Sequence, residues 1–162
     1  DDLSTDAIVY DATNSDTIDT WVPAAQLSLF KYELKSNENS FTTAVQTSRD
    51  NGTTFFEQTL SISLKKQDQA MHKNIKLLAY GRPRIIIRTM TDQFFLMGLA
   101  QGCDTTAGEI SSGAAMGDFN GYKLTFVASE VLPANFIDVS TEAALKTAFA
   151  DSAGADANIV TA

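Results

Sequence analysis

The segment Thr54–Leu64 alternates between apolar and polar residues, and no other pattern in the chain constrains the fold as strongly. One set of alternate positions holds Phe56, Gln58, Leu60, Ile62 and Leu64, and the other set is rich in Ser and Thr. A period of two is typical of a strand with one face in the core and the other in water. The segment therefore predicts a long strand in an antiparallel sheet.

A helical period follows this strand. Met71, Ile75 and Leu78 recur at intervals of four and three residues, so they fall on one side of a helix. Gly81 is suited to the end of a helix, and Pro83 disfavours its continuation. The pattern predicts one flanking helix near residues 67–80.

Shorter apolar runs and turn signals complete the predicted fold. Further strands are expected near residues 7–10, 27–34, 41–47, 84–90, 93–99 and 122–127. The dipeptides Asn51-Gly52 and Asn120-Gly121 are typical of hairpin turns. Residues 98–117, punctuated by glycine, are expected to form a loop, and the β pattern ends after Ile137. A short helix, capped by Ser140 or Thr141, is expected after that point.

The expected fold class is α+β and mainly β: two packed antiparallel sheets, sandwich-like or barrel-like, with one flanking helix and a short C-terminal helix. A length of 162 residues suits one domain. Within it we distinguish an acidic N-terminal arm at 1–26, a β core domain at 27–138 and a C-terminal arm or tail at 139–162. The longest apolar runs have strand length, short of the roughly 18 residues of a membrane-spanning helix, so no membrane partner is expected.

Charge is distributed unevenly along the chain. The net charge of −8 argues against a general nucleic-acid binder. The middle of the chain carries Lys65, Lys66, Lys73, Lys76, Arg82, Arg84 and Arg88, whereas the first twenty residues carry Asp1, Asp2, Asp6, Asp11, Asp16 and Asp19 and no basic residue. The two regions could complement each other between copies, so the basic set and Asp11, Asp16 and Asp19 are the candidates for inter-subunit contacts. The alternative is that both are solvated faces.

The residues that usually carry chemistry are scarce. His72 is the single histidine and Cys103 the single cysteine, so a zinc site lacks ligands and an intrachain disulfide is excluded. A Cys103–His72 nucleophile pair can be written down, but a structural thiol and a solvated surface histidine are favoured. No phosphate loop, nucleophile elbow or calcium loop is found. The sequence predicts no catalytic, cofactor-binding or metal residue, no cofactor and no enzyme.

Several ordered pieces resemble a known family. They are Gly52-Thr-Thr-Phe-Phe-Glu-Gln-Thr-Leu, Leu78-Ala-Tyr-Gly-Arg-Pro, Phe95-Leu-Met-Gly-Leu-Ala-Gln-Gly, Gly117-Asp-Phe-Asn-Gly-Tyr-Lys-Leu-Thr-Phe and Glu130-Val-Leu-Pro-Ala-Asn-Phe-Ile. Together they cover about half of the chain and resemble virion structural proteins of tailed phages and prophages that infect Bacteroidota, most closely tail tube proteins.

The resemblance implies a fold, partners and a location. Tail tube proteins have two antiparallel sheets packed at a steep angle with a flanking helix, and they close into hexameric rings that stack into a tube. The expected partners are other copies of the chain and other virion proteins, with viral DNA as a non-specific passenger during ejection. The expected location is the virion, assembled in the cytoplasm of the host bacterium. The acidic excess would suit a lumen through which DNA slides, because like charge disfavours phosphate binding.

Two alternatives remain open at this point. One is another virion component, a head–tail connector or a capsid decoration protein, which stoichiometry in a particle would separate from a tube subunit. The other is a monomeric β-sandwich module that binds a carbohydrate or a surface ligand through an exposed aromatic groove. Trp21 is the single tryptophan and lies beside Pro23 in the predicted arm, which is a poor start for a sugar platform.

Overall fold

The computed structural model describes residues 7–50, 52–115 and 117–161. Strands account for 45% of the described residues and helices for 12%, which confirms the predicted α+β, mainly β class. Within the described residues, no helix is long and apolar enough to cross a membrane.

The described residues form eleven strands and two helices. The first part contains β1 (Ala7–Tyr10), β2 (Thr17–Val22), β3 (Ser28–Lys31), β4 (Ser40–Ser48), β5 (Thr53–Lys65) and α1 (Gln69–Tyr80). The second part contains β6 (Ile85–Arg88), β7 (Phe94–Met97), β8 (Asp104–Ser111), β9 (Gly121–Glu130), β10 (Asn135–Ile137), α2 (Glu142–Ala148) and β11 (Asn158–Thr161). The predicted flanking helix and the short C-terminal helix are both present.

These elements form two compact units, each assembled from separate stretches of chain. Unit 1 comprises Asp1–Tyr32, Ile86–Leu96 and Asn135–Ala162, and unit 2 comprises Glu33–Ile85 and Met97–Ala134. The described residues of the expected arm (1–26) and of the expected tail (139–162) both belong to unit 1.

Unit 2 is built on an antiparallel sheet with the strand order β4-β5-β9-β8. The predicted long strand, β5, alternates as expected: Gln58, Leu60, Ile62 and Leu64 are buried. In β9, opposite β5, Tyr122, Leu124, Phe126 and Ala128 are buried in the same alternation. Each large apolar side chain buried in this way contributes roughly 1.5–3 kcal/mol.

The helix α1 turns one side toward the interior of unit 2. Ile75 is buried and Met71 and Leu78 are half-buried, which confirms the predicted apolar stripe. The helix ends at Tyr80, where the Gly81 N–H donates to the Leu77 carbonyl at 3.0 Å. The Thr105 hydroxyl of β8 donates to the Leu78 carbonyl at 3.4 Å and ties the helix to the sheet.

Unit 1 contains a five-stranded sheet in the order β1-β2-β10-β7-β6 and a two-stranded sheet, β11-β3. The larger sheet is mixed, because β10 is parallel to β2 and antiparallel to β7. Strands β11 and β3 are also parallel. In the core of unit 1, the rings of Trp21 and Phe149 lie 5.5 Å apart, and Ile18 is fully buried.

Some sequence predictions were wrong. The expected loop at 98–117 contains the strand β8, and the chain does not lose its β structure after Ile137, because β11 follows α2. Strands β2 and β10 were not expected either. Nearly all of β8 is exposed on both faces, so no alternation marks it in the sequence. Strand β10 has only three residues, which is too short for a periodic pattern.

Candidate assembly surface

Strand β4 is an edge strand that lacks the usual protection of an edge against pairing with other chains. It spans nine residues, Ser40–Ser48, and pairs along its whole length with β5, from Ser40↔Ser61 to Ser48↔Thr53. At residues 42–47 its other side has no partner strand among the described residues. Its sequence, Ser-Phe-Thr-Thr-Ala-Val-Gln-Thr-Ser, contains no charged residue and no proline. Natural edge strands usually carry such residues because a bare edge pairs with other chains.

The far end of the β4–β5 hairpin extends beyond the strand next to it. Pairing between β5 and β9 begins at Phe56, so Thr53–Phe55 pair with β4 alone. Side chains on both faces, in this part or next to it, are exposed: Phe55 is 38% exposed, and Val45, one residue before the partner of Phe55, is 61% exposed. An isolated two-stranded ribbon is marginally stable in water, so this end of the hairpin is suited to contact another surface. Of the predicted turn, Gly52 has a φ of +63°, and Asn51 lies outside the described residues.

The opposite edge of the same sheet is protected. In β8 the register shifts between Thr105 and Ala107, which marks a bulge. Asp104 and Glu109 put charge on this strand, and Arg82 Nε lies 3.0 Å from a carboxylate oxygen of Asp104. Bulges and charges both discourage pairing with another strand. The two edges of the sheet therefore differ in their capacity to accept a new strand.

Two buried polar side chains, on β5 and β9, bind the loop that follows β7. The Gln58 side chain, in a residue only 1% exposed, accepts a hydrogen bond from the Gly98 N–H at 3.1 Å and donates to the Leu132 carbonyl at 3.3 Å. The buried Glu130 carboxylate accepts from the N–H groups of Ala100 and Gln101 at 3.0 and 2.8 Å. The loop after β7 is thus held on the sheet. Sequence patterns placed Gln58 on the buried face but gave no signal for Glu130.

The three predicted arginines each have a partner within their own unit. Arg82 bonds Asp104, and Arg84 Nε donates to the Leu99 carbonyl at 3.0 Å. Arg88 lies 2.7 Å from the Asp92 carboxylate, and its guanidinium carbon lies 5.7 Å from the centre of the Phe94 ring.

The predicted lysines are placed differently. Lys65 ends β5, and Lys66 follows it with a φ of +73° while its N–H donates to the Asn120 carbonyl. Lys73 and Lys76 lie on the exposed side of α1. None of the four side chains forms an ion pair with another described residue.

The acidic candidates lie at the β1–β2 hairpin of unit 1. The Asp11 carboxylate accepts hydrogen bonds from the N–H groups of Thr13 and Asn14 at 2.7 and 2.8 Å, and the bonds from Asn14 and Thr13 lower its pKa. Asp16 and Asp19 are exposed. Asp1, Asp2 and Asp6 lie outside the described residues.

The two reactive side chains do not form the nucleophile pair considered above. Cys103 is fully buried and its thiol donates to the Met97 carbonyl at 3.7 Å. Burial raises the pKa of the Cys103 thiol to about 12, so it stays protonated at neutral pH. The exposed His72 ring lies 6.2 Å from the ring of Tyr122. Among the described residues, no group of His, Cys, Asp and Glu side chains could hold a metal ion.

The assembly surface is thus defined by the uncharged edge of β4 and by the open end of the β4–β5 hairpin. No family model, no curated protein and no solved structure matches this chain.

Proposed function

We propose that this protein is a self-assembling virion structural protein, a tail tube subunit whose copies form stacked hexameric rings that conduct viral DNA. The observation that carries the proposal is the edge of β4 at residues 42–47, which carries no charged residue and has no partner strand on its outer side among the described residues. The type of assembly, a tube of stacked rings, is proposed because the β5, β7 and β9 segments resemble tail tube proteins. The location is then the virion, and the partners are further copies and other virion proteins.

Pairing at this edge would add a strand to the four-stranded sheet. Each new main-chain hydrogen bond contributes about 0.5–1.5 kcal/mol net, and a strand of nine residues can form several. The side chains of Val45 and Phe55 would be covered in the same step. A ring requires that β4 meets a different surface on the next copy, because such head-to-tail contacts close by rotation.

The negative net charge of the chain is consistent with an assembly that does not bind DNA tightly. A net charge of −8 disfavours contact with phosphate, so DNA could pass along an assembly without being held.

The test is assembly of the purified chain, followed by sedimentation velocity over a range of concentrations and by negative-stain microscopy. Rings or tubes that grow with concentration are expected. A chain with Val45→Lys places a charge on the β4 edge and should shift the mass distribution toward monomer. The matched control is Val131→Lys, which replaces the same residue type at a more exposed position outside β4.

The outcomes separate the alternatives. A wild-type chain that stays monomeric at every concentration would contradict the proposal and favour a ligand-binding module. Assembly that V45K leaves unchanged would show that the β4 edge is not the contact. A single closed ring that never stacks would favour a connector.

A further inference from the structure

The outer face of α1 combines exposed apolar residues with lysines that form no ion pair with a described residue. Lys73, Lys76, Leu77 and Tyr80 recur at i, i+3, i+4 and i+7, so they share one side of the helix. Leu77 is 63% exposed and Tyr80 is 83% exposed, although both are large apolar residues. The side toward the interior of unit 2 is occupied by Met71, Ile75 and Leu78. We call the four residues on the exposed side the outer face of α1.

A cleft of about 300 Å³ in unit 1 has the opposite character. Its lining residues include the acidic Asp11, Asp92 and Asp138 and the aromatic Phe94 and Phe136. Phe136 is 43% exposed and its ring lies 4.5 Å from that of Phe95. We call this cleft, with these lining residues, the acidic cleft.

The charge of the acidic cleft is only partly compensated. Arg88 neutralises Asp92, and no basic side chain lines the cleft among the described residues. Asp138 is exposed and forms no ion pair with a described residue, and the same holds for Asp16, which precedes the lining residue Thr17. The Asp16 carbonyl accepts the N–H of Phe136 at 3.2 Å, which places the backbone of Asp16 next to that of a lining residue.

We infer that the outer face of α1 of one copy docks in the acidic cleft of a second copy. The two surfaces match in aromatic character and in charge. The helix face carries an exposed aromatic side chain and two lysines, and the cleft contains aromatic and acidic residues. Tyr80 would enter the cleft, with Lys73 and Lys76 opposite the carboxylates. Tyrosines in desolvated pockets are frequent centres of binding energy, and complementary charge around them fixes the partner and the orientation. The two surfaces differ, so the contact is of the head-to-tail kind.

This inference rests on the proposed function, since it names a contact through which copies of this chain would associate. It is separate from the β4 edge, because neither the outer face of α1 nor the acidic cleft contains a residue of β4 or β5. It also gives a role to two lysines that form no ion pair within the described part of the chain, although the chain has an excess of acid.

Charge reversal with complementation tests the contact. One variant carries Lys73→Glu and Lys76→Glu, and a second carries Asp16→Lys and Asp138→Lys; all four positions are exposed, and circular dichroism confirms that each variant folds. Each variant alone sets like charges against each other, so its association is expected to weaken at least about tenfold. Mixed in equal amounts, the two variants restore opposite charges at every contact, and association should return in sedimentation velocity.

A neutral truncation tests the anchor itself. Tyr80→Ala should weaken association about 10- to 30-fold, the range typical of a central aromatic contact. Phe30→Ala removes an exposed aromatic ring outside both surfaces and should have no effect.

The failure of this inference is distinguishable from that of the proposed function. Wild-type assembly that survives both charge reversals and Tyr80→Ala would overturn the docking contact and leave the tube proposal intact. Reversed variants that fail alone and do not recover on mixing would also overturn it. A wild-type chain that never associates would overturn both.

Discussion

Gly121 shows how a single backbone position controls the central strand pair. It begins β9 opposite Lys65, and a Cβ atom on this residue would overlap the carbonyl oxygen of Leu64. The obstacle is backbone, so no side-chain rotation can relieve the overlap. We expect Gly121→Ala to lower the free energy of unfolding by about 3 kcal/mol. Urea denaturation would measure this.

The control for this substitution is Gly117→Ala, because a Cβ there meets nothing within 4 Å. Its effect should stay within about 0.5 kcal/mol. Equal effects of the two substitutions would contradict the proposed clash at Leu64.

The buried thiol gives a second prediction at the scale of one residue. Burial is the first cause of the raised pKa of Cys103, with the charges of Glu130 and Asp104 adding to it. Thiolate is the reactive form, so the native protein should react with a thiol reagent at pH 8 about 100-fold or more slowly than the urea-unfolded chain. Fast modification of the folded protein would show that Cys103 is accessible.

At the scale of elements, the short helix α2 depends on its first residue. The Ala144 N–H donates to the Thr141 hydroxyl at 3.1 Å, and Thr141 has the extended backbone of an N-cap. Thr141→Ala should lower the free energy of unfolding by about 1 kcal/mol, whereas Thr141→Ser keeps the hydroxyl and should be nearly neutral. If thermal or urea unfolding gave the same stability for both variants, the cap would not contribute.

Elements with a one-sided pattern could be predicted from sequence. Strand β5 and helix α1 each bury one side, so the periods of their apolar residues are visible. The cap of α2 was also predictable to within two residues, Ser140 and Thr141, because a hydroxyl side chain just before a helix is a preferred N-cap.

The other elements gave no such signal. Strand β8 exposes residues on both faces. Strands β10 and β11 are short and pair with strands far away in the sequence. Their partners are β2 and β7 for β10, and β3 for β11. The candidate assembly surface was predictable only in part. An uncharged strand near 41–47 is visible in the sequence, but its edge position depends on pairing partners that the sequence pattern does not identify. The acidic cleft joins residues from distant segments and was not predictable.

At the scale of the whole molecule, acid should destabilise the fold. The pKa of Asp11 and that of Asp118 are lowered by hydrogen bonds from backbone N–H groups, and the pKa of Glu142 is lowered by its hydrogen bond from Lys31 at 2.8 Å. A carboxyl whose pKa is lower in the folded state stabilises the fold above its ordinary pKa, and this stabilisation is lost as the pH falls through the folded value. The ordinary values are 3.8 for Asp and 4.5 for Glu.

We therefore expect the free energy of unfolding to decrease as the pH is lowered below about 4. A series of urea denaturation curves from neutral to acidic pH would measure it. In Asp118→Asn the decrease should be smaller, because that side chain no longer binds a proton. A stability that rises on acidification would contradict the assignment of these three carboxyl groups.

The division of unit 1 among three stretches of chain has a consequence for the timing of folding on the ribosome. Strand β10 lies between β2 and β7, and it belongs to a stretch that is synthesised after every strand of unit 2. Until that stretch emerges, the five-stranded sheet lacks its middle strand, whereas all the strands of the β4-β5-β9-β8 sheet are already available. Domains generally fold as their chain becomes complete during synthesis. A nascent chain would therefore have its β4 edge ready before unit 1 is finished, and synthesis itself would delay the acidic cleft until after that edge has formed.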